Sequence, residues 1–164
     1  MQTKKDNQMM KTHALLLLTV MACAMTAHAE EPCLQAAWKA YNASDYSAAI
    51  RAADKCIDNF HLKAERDQAA LALKKEPDPP TGAVSDADKQ KIFSRGVLND
   101  TAAAYFVKGR SAEALAKKKG NNYREMARAA YEQAKNLKYA RVWDPKGFFW
   151  SPSEAAADRL ADLN

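Results

Sequence analysis

The chain has 164 residues, with 25 Lys+Arg against 20 Asp+Glu and a formal net charge of +5. So mild an excess serves solubility, and without Lys or Arg clustered among stacking aromatics it gives no case for nucleic acid. The 5 glycines stand singly, which excludes a phosphate-cradling loop, and the 3 cysteines and 3 histidines show no metal-ligand spacing, so no cofactor or metal is expected.

The N-terminus orders its properties as a secretory signal does. A basic opening (Lys4, Lys5, Lys11) precedes an apolar run over residues 14–25, and Ala27-His28-Ala29 supplies a small-residue cleavage site. The run is about half the roughly 20 residues of a spanning helix. Residues 1–29 are therefore expected to be a signal peptide, leaving a periplasmic or secreted chain without a transmembrane span. A retained anchor, or a lipoprotein anchored at Cys23 after "TVMA", is the alternative. Removing Lys4, Lys5, Lys11 and Asp6 with that segment leaves 22 basic and 19 acidic residues.

From Pro32 onward the composition is helical: alanine-rich, filled with Lys, Glu, Arg and Gln, and poor in β-branched residues. Residues 32–43 place Leu34, Ala37, Trp38 and Tyr41 on one face. Residues 46–60 do the same with Ala49, Ile50, Ala53, Cys56 and Ile57, and the short break predicts an antiparallel pair. Cys33 and Cys56 lie equally far from that break, so the fold brings them face to face. An even cysteine count in an oxidising compartment predicts a disulfide, against the alternative of two unpaired thiols.

A third helix is expected over residues 62–75, with Ala69, Ala70, Leu71 and Leu73 apolar. Three prolines and Gly82 then make a linker over about residues 76–85 between two halves of what its length predicts to be a single domain over residues 30–164, with Ser85 and Asp88 as a capping box. Helix resumes from Asp86 through Ile92, Phe93, Val97, Ala104, Tyr105 and Leu115 to the basic end Lys117-Lys118-Lys119. Gly96 and Gly109 inside it predict either close helix approach or a break. Residues 123–137 form the next helix, with Met126, Ala127, Ala130, Tyr131 and Ala134 inward.

The segment "WDPKGFFWSP" holds two of the three tryptophans. Asp144-Pro145-Lys146-Gly147 has type I turn composition, and Ser151-Pro152-Ser153-Glu154 marks the start of a last helix to about Leu163. Its inner face is expected at Ala157, Leu160 and Ala161. Trp143 and Trp150 are expected to fold over the end of the helix array, while adjacent Phe148 and Phe149 cannot share a side, leaving one as a contact.

"DYSAAIRAADKCI" and "NYREMARAAYEQAKNL" each pair a polar residue with a tyrosine and then space small residues for helix packing. With Ala37, Tyr46, Ala49, Ala53 and Cys56 in one copy, and Gly109, Ala127, Tyr131 and Ala134 in the other, they resemble tetratricopeptide repeats. The likeness covers about half of the chain after residue 29, lacks the terminal proline of each repeat and carries extra residues around "KKKGNN". An ordinary helical bundle with fortuitous alanine spacing is the alternative. The resemblance implies an all-α, degenerate tetratricopeptide-like array of antiparallel helix pairs, capped by the aromatic turn and the last helix.

Such arrays receive peptides or helices from partner proteins. Gln35, Lys39, Asn42, Lys108, Ser111 and Ala112, with Phe148 and Phe149, are the candidate contact residues. The expected function is an exported, non-enzymatic protein-binding or scaffold module of the bacterial cell envelope. The alternative is a cell-wall carbohydrate binder using the C-terminal aromatics. Catalysis is not expected: His61 is the sole histidine after the signal and lies at a helix junction without a serine elbow.

Overall fold

A computed structural model describes residues 31–163; the expected signal peptide and Cys23 lie outside the described residues. Among the described residues there are six helices, α1 Pro32–Asn42, α2 Tyr46–Leu73, α3 Asp86–Phe93, α4 Gly96–Lys119, α5 Asn121–Asn136 and α6 Pro152–Asp162, and a hairpin of β1 Val142–Asp144 and β2 Phe148–Trp150 between α5 and α6. The protein is all-α apart from that hairpin. None of the described helices is long and apolar enough to cross a membrane.

The first pair forms as its pattern requires. The Asp45 side chain caps α2 by accepting the Ala48 N–H at 2.9 Å. Ser44 turns the chain with φ 60°, which lets the Asp45 N–H reach the Ala40 carbonyl at 2.9 Å. Leu34 and Ala37 of α1 meet Ala49, Ala53, Cys56 and Ile57 of α2 and Ala103, Ala104 and Val107 of α4 in one core cluster. The Cys33–Cys56 disulfide bolts the two helices together with its Cα atoms 5.5 Å apart.

Three expected boundaries differ. The second and third helices are one continuous helix of 28 residues, and His61 lies inside it, its Nδ1 donating to the Ile57 carbonyl at 2.9 Å. Beyond Ala64 that helix keeps a narrow contact with its neighbours through Gln68 and Leu71. Ala69 and Ala70 are therefore exposed, Leu71 is only half-buried and Leu73 is 85% exposed. The run from Asp86 breaks after Phe93, so Gly96 opens α4. Around "KKKGNN", helix continues to Lys119 and resumes at Asn121, with Gly120 at φ 91° making the whole turn.

α4 is buried on most sides, packing against α1, α2, α5 and α6. Its small residues admit these neighbours. Gly109 receives the ring of Tyr131 so closely that a Cβ there would stand 2.5 Å from Tyr131 Cε1. That close approach is the use expected of Gly109. Residues 76–85 are a coil, but it does not part the chain into two bodies, because α2 and α4 on either side pack directly together. α6 turns in Ser153, Ala156 and Leu160 rather than Ala157 and Ala161, which are exposed. Its inward stripe starts one residue earlier than expected, since Ser153 itself is drawn in by its bond to the Lys135 carbonyl at 2.6 Å.

Candidate functional site

The hairpin is held by a polar frame on three helices. Asn99 of α4 donates to the Ile92 carbonyl at 2.8 Å and accepts the Arg141 N–H at 3.0 Å, fixing α3 and the chain entering β1. Arg95 donates to the Tyr139 carbonyl at 3.2 Å, and Gln68 of α2 accepts the Tyr139 N–H at 3.1 Å. The Arg141 guanidinium is 4% exposed and bonds the Lys138 and Ala140 carbonyls and Ser151 Oγ. Burial lowers its pKa, opposed by Glu154 3.9 Å away. Apart from Arg141 Nε, which has no hydrogen-bond partner, the buried polar groups of this frame are paired and fix one position for the hairpin.

Within the hairpin, Val142 pairs with Trp150, Trp143 with Phe149 and Asp144 with Phe148. The turn forms as its composition predicts: Asp144 Oδ1 accepts the Lys146 N–H at 2.8 Å, and Gly147 takes φ 100°. Strand alternation sends Trp143 and Phe149 to one face, where both meet Phe93 of α3. Lys89 Nζ sits 4.6 Å from the centroid of the Trp143 ring on that face. Trp150 points the other way and packs on Trp38 at 6.5 Å and Phe106 at 5.1 Å. Trp150 thus closes the helix array, whereas Trp143 is 38% exposed and covers α3 instead.

Between α1 and this hairpin opens a cleft of about 430 Å³, lined by Trp38, Asn42, Val142, Trp143, Asp144, Pro145 and Trp150. All 3 tryptophans of the chain line it. The Trp38 and Trp150 rings lie at 77° to each other and make an apolar corner, with the Asn42 amide and the Asp144 carboxylate as its polar edges. Its volume falls in the usual range of ligand sites. Among the described residues, no three His, Cys, Asp or Glu side chains are grouped to hold a metal.

The expected contact residues separate. Asn42 lines the cleft, and Gln35 and Lys39 are exposed on α1. Phe148 is 36% exposed at the hairpin tip, and Phe149 is buried, so the phenylalanines divide as strand alternation requires. Two further candidates present no free surface and a third is partly covered. Ser111 and Ala112 are fully buried because α4 is the central helix, and Lys108 is half-buried in an ion pair with Asp54 at 2.6 Å. Trp38, on the apolar face of α1 by its spacing, is also a wall of the site. The signal was its four-residue spacing from Asn42, which puts both on one side of α1.

A second polar cluster joins α4, α5 and α6. Glu113 accepts from Tyr131 at 2.8 Å and from the Arg159 guanidinium, tying α4 to α5 and α6. Burial pushes the Glu113 carboxyl up, but the bonds from Arg159 and Tyr131 outweigh it and hold its pKa below the ordinary value. Burial, then Glu113, pushes the Tyr131 hydroxyl far above its own. Among the described residues the fold thus defines an all-α protein with one disulfide and a tryptophan-lined cleft. Comparison with protein-family models, with curated proteins and with solved structures finds no match.

Proposed function

We propose that this protein is an exported, non-enzymatic protein-binding module of the bacterial cell envelope, and that the tryptophan cleft is its binding site. The observation that carries the reading is the corner made by the Trp38 and Trp150 rings on a cleft that the Trp143 strand also borders. Exposed aromatic corners with a few polar edges are where interface energy concentrates. The signal-like N-terminus and the disulfide support the compartment, and the paired helices support a degenerate tetratricopeptide-like scaffold. The test places a photo-crosslinking benzoylphenylalanine at Asn42 or, as control, at Leu73 in the exporting cell. A discrete protein adduct from position 42 alone is expected, and equal or absent adducts at both sites would overturn the reading.

A cell-wall glycan is the second reading, favoured by the near-perpendicular indoles beside an amide and a carboxylate, groups that suit a sugar's C–H face and hydroxyls. Peptidoglycan pull-down of the wild type against Trp150→Ala and Asn42→Ala separates the two.

A further inference from the structure

β1 is the outer strand of its sheet. On the other side of β2, Phe149 donates its N–H to the Gly82 carbonyl at 2.9 Å and accepts the Gly82 N–H at 2.7 Å. Phe149 therefore turns both backbone groups away from β1, and Trp143↔Phe149 is the non-hydrogen-bonded pair of the hairpin. By the same alternation the Trp143 N–H and C=O point outward from β1. Neither has a backbone partner among the described residues. An edge with a free donor and acceptor is a template for another strand, and this one borders the tryptophan cleft.

We propose that the partner docks as an extended strand, antiparallel to β1, exchanging both backbone hydrogen bonds with Trp143. The pleat then sets the chemistry of the partner. The residue opposite Trp143 turns toward the α3 side. Its two neighbours, opposite Val142 and Asp144, share the face that carries Trp150 and point into the cleft. The neighbour opposite Val142 enters the Trp38–Trp150 corner and is aromatic or large aliphatic. The neighbour opposite Asp144 meets a carboxylate and is Lys or Arg. In antiparallel order the recognised segment reads, from its N-terminus, basic, any, apolar. Asn42 supplies an amide across the cleft for the bound backbone.

This deepens the protein-binding reading and rests on it. The probe is the acetylated, amidated heptapeptide Ser-Thr-Lys-Thr-Phe-Thr-Ser, titrated into the folded wild-type protein by amide NMR. Saturable shifts are expected at the Trp143 amide and the Trp38 and Trp150 indole N–H groups. N-methylation of the central threonine removes the donor to the Trp143 carbonyl while leaving the protein untouched, and at least tenfold weaker binding is expected. Exchanging Lys for Glu, or Phe for Ala, in the peptide is expected to weaken it about as much. Equal binding of the N-methylated peptide, or no saturable shift at millimolar peptide, would overturn strand docking. So would shifts at the same residues from the N-acetylglucosamine tetramer alone, which would assign the cleft to a glycan. An adduct from position 42 beside a failed peptide titration rejects the strand mode and leaves the binding module standing; failure of both rejects both.

Discussion

Replacing Gly109 by alanine tests whether α4 and α5 are as close as they stand. Three terms compete. Alanine in a helix interior is favoured over glycine by about 1 kcal/mol. Against it, the new methyl would lie 2.5 Å from Tyr131 Cε1, 2.6 Å from Cδ1 and 3.0 Å from Cζ. Overpacking of a filled core costs about 1–3 kcal/mol. The ring has little freedom to retreat: it is fully buried, lies 5.9 Å from the Phe106 ring and is held by its hydroxyl on Glu113. If it moves, a hydrogen bond to a charged group is lost, worth about 1.5–3 kcal/mol. With the ring displaced, the net expectation is a destabilisation of about 1.5–5 kcal/mol. Urea unfolding followed by circular dichroism should show a lower midpoint at unchanged slope. In a Tyr131→Leu background, where no ring fills the space, the same substitution should be neutral or stabilising. A Gly109→Ala protein as stable as the wild type would refute the packing argument.

Cys33→Ser with Cys56→Ser should lower stability by about 3 kcal/mol, since the bridge closes a loop over a separation of 23 residues, and the unreduced, denatured wild type should show no reactive thiol from this pair. For Glu113 the folded pKa lies below the ordinary value, so its contribution is present above the unfolded pKa of about 4.3 and is lost as pH falls through the folded value. Stability measured from pH 6 to 3 should therefore drop more steeply in the wild type than in Glu113→Gln. Asn99→Ala leaves the Arg141 N–H and the Ile92 carbonyl without their side-chain partner and should cost about 1–3 kcal/mol, with loss of near-ultraviolet tryptophan ellipticity before helix is lost.

Much of the fold was legible because helical spacing reports burial directly. Leu34, Ala37, Ala49, Ala53 and Cys56 all turn inward as their periodicity requires. The cysteine pair followed from symmetry about a turn. Boundaries were harder, because His61 and Leu62 interrupt no backbone hydrogen bond and only look like a junction. The faces of α4 were illegible for a different reason. A helix surrounded by neighbours has no outside, so Lys108 and Ser111 read as surface when the array encloses one and pairs the other. The cleft was half legible. Its hairpin side lay in the aromatic segment, but Trp38 stands more than a hundred residues away in sequence, and the two meet through the polar frame around Asn99 and Arg141 and the packing of Trp150 on Phe106 of α4.

The Gly82–Phe149 bridge links the middle of the proline-rich coil to the C-terminal hairpin. A single cut in that coil would therefore sever the covalent chain without separating its halves. The N-terminal piece would keep α1, α2 and their disulfide, the C-terminal piece would keep α3 to α6, and the α2–α4 contact would rejoin them. The coil is thus a natural place to split the protein into complementing fragments. Because Trp38 belongs to one piece and Trp150 to the other, the cleft would exist only when both are present.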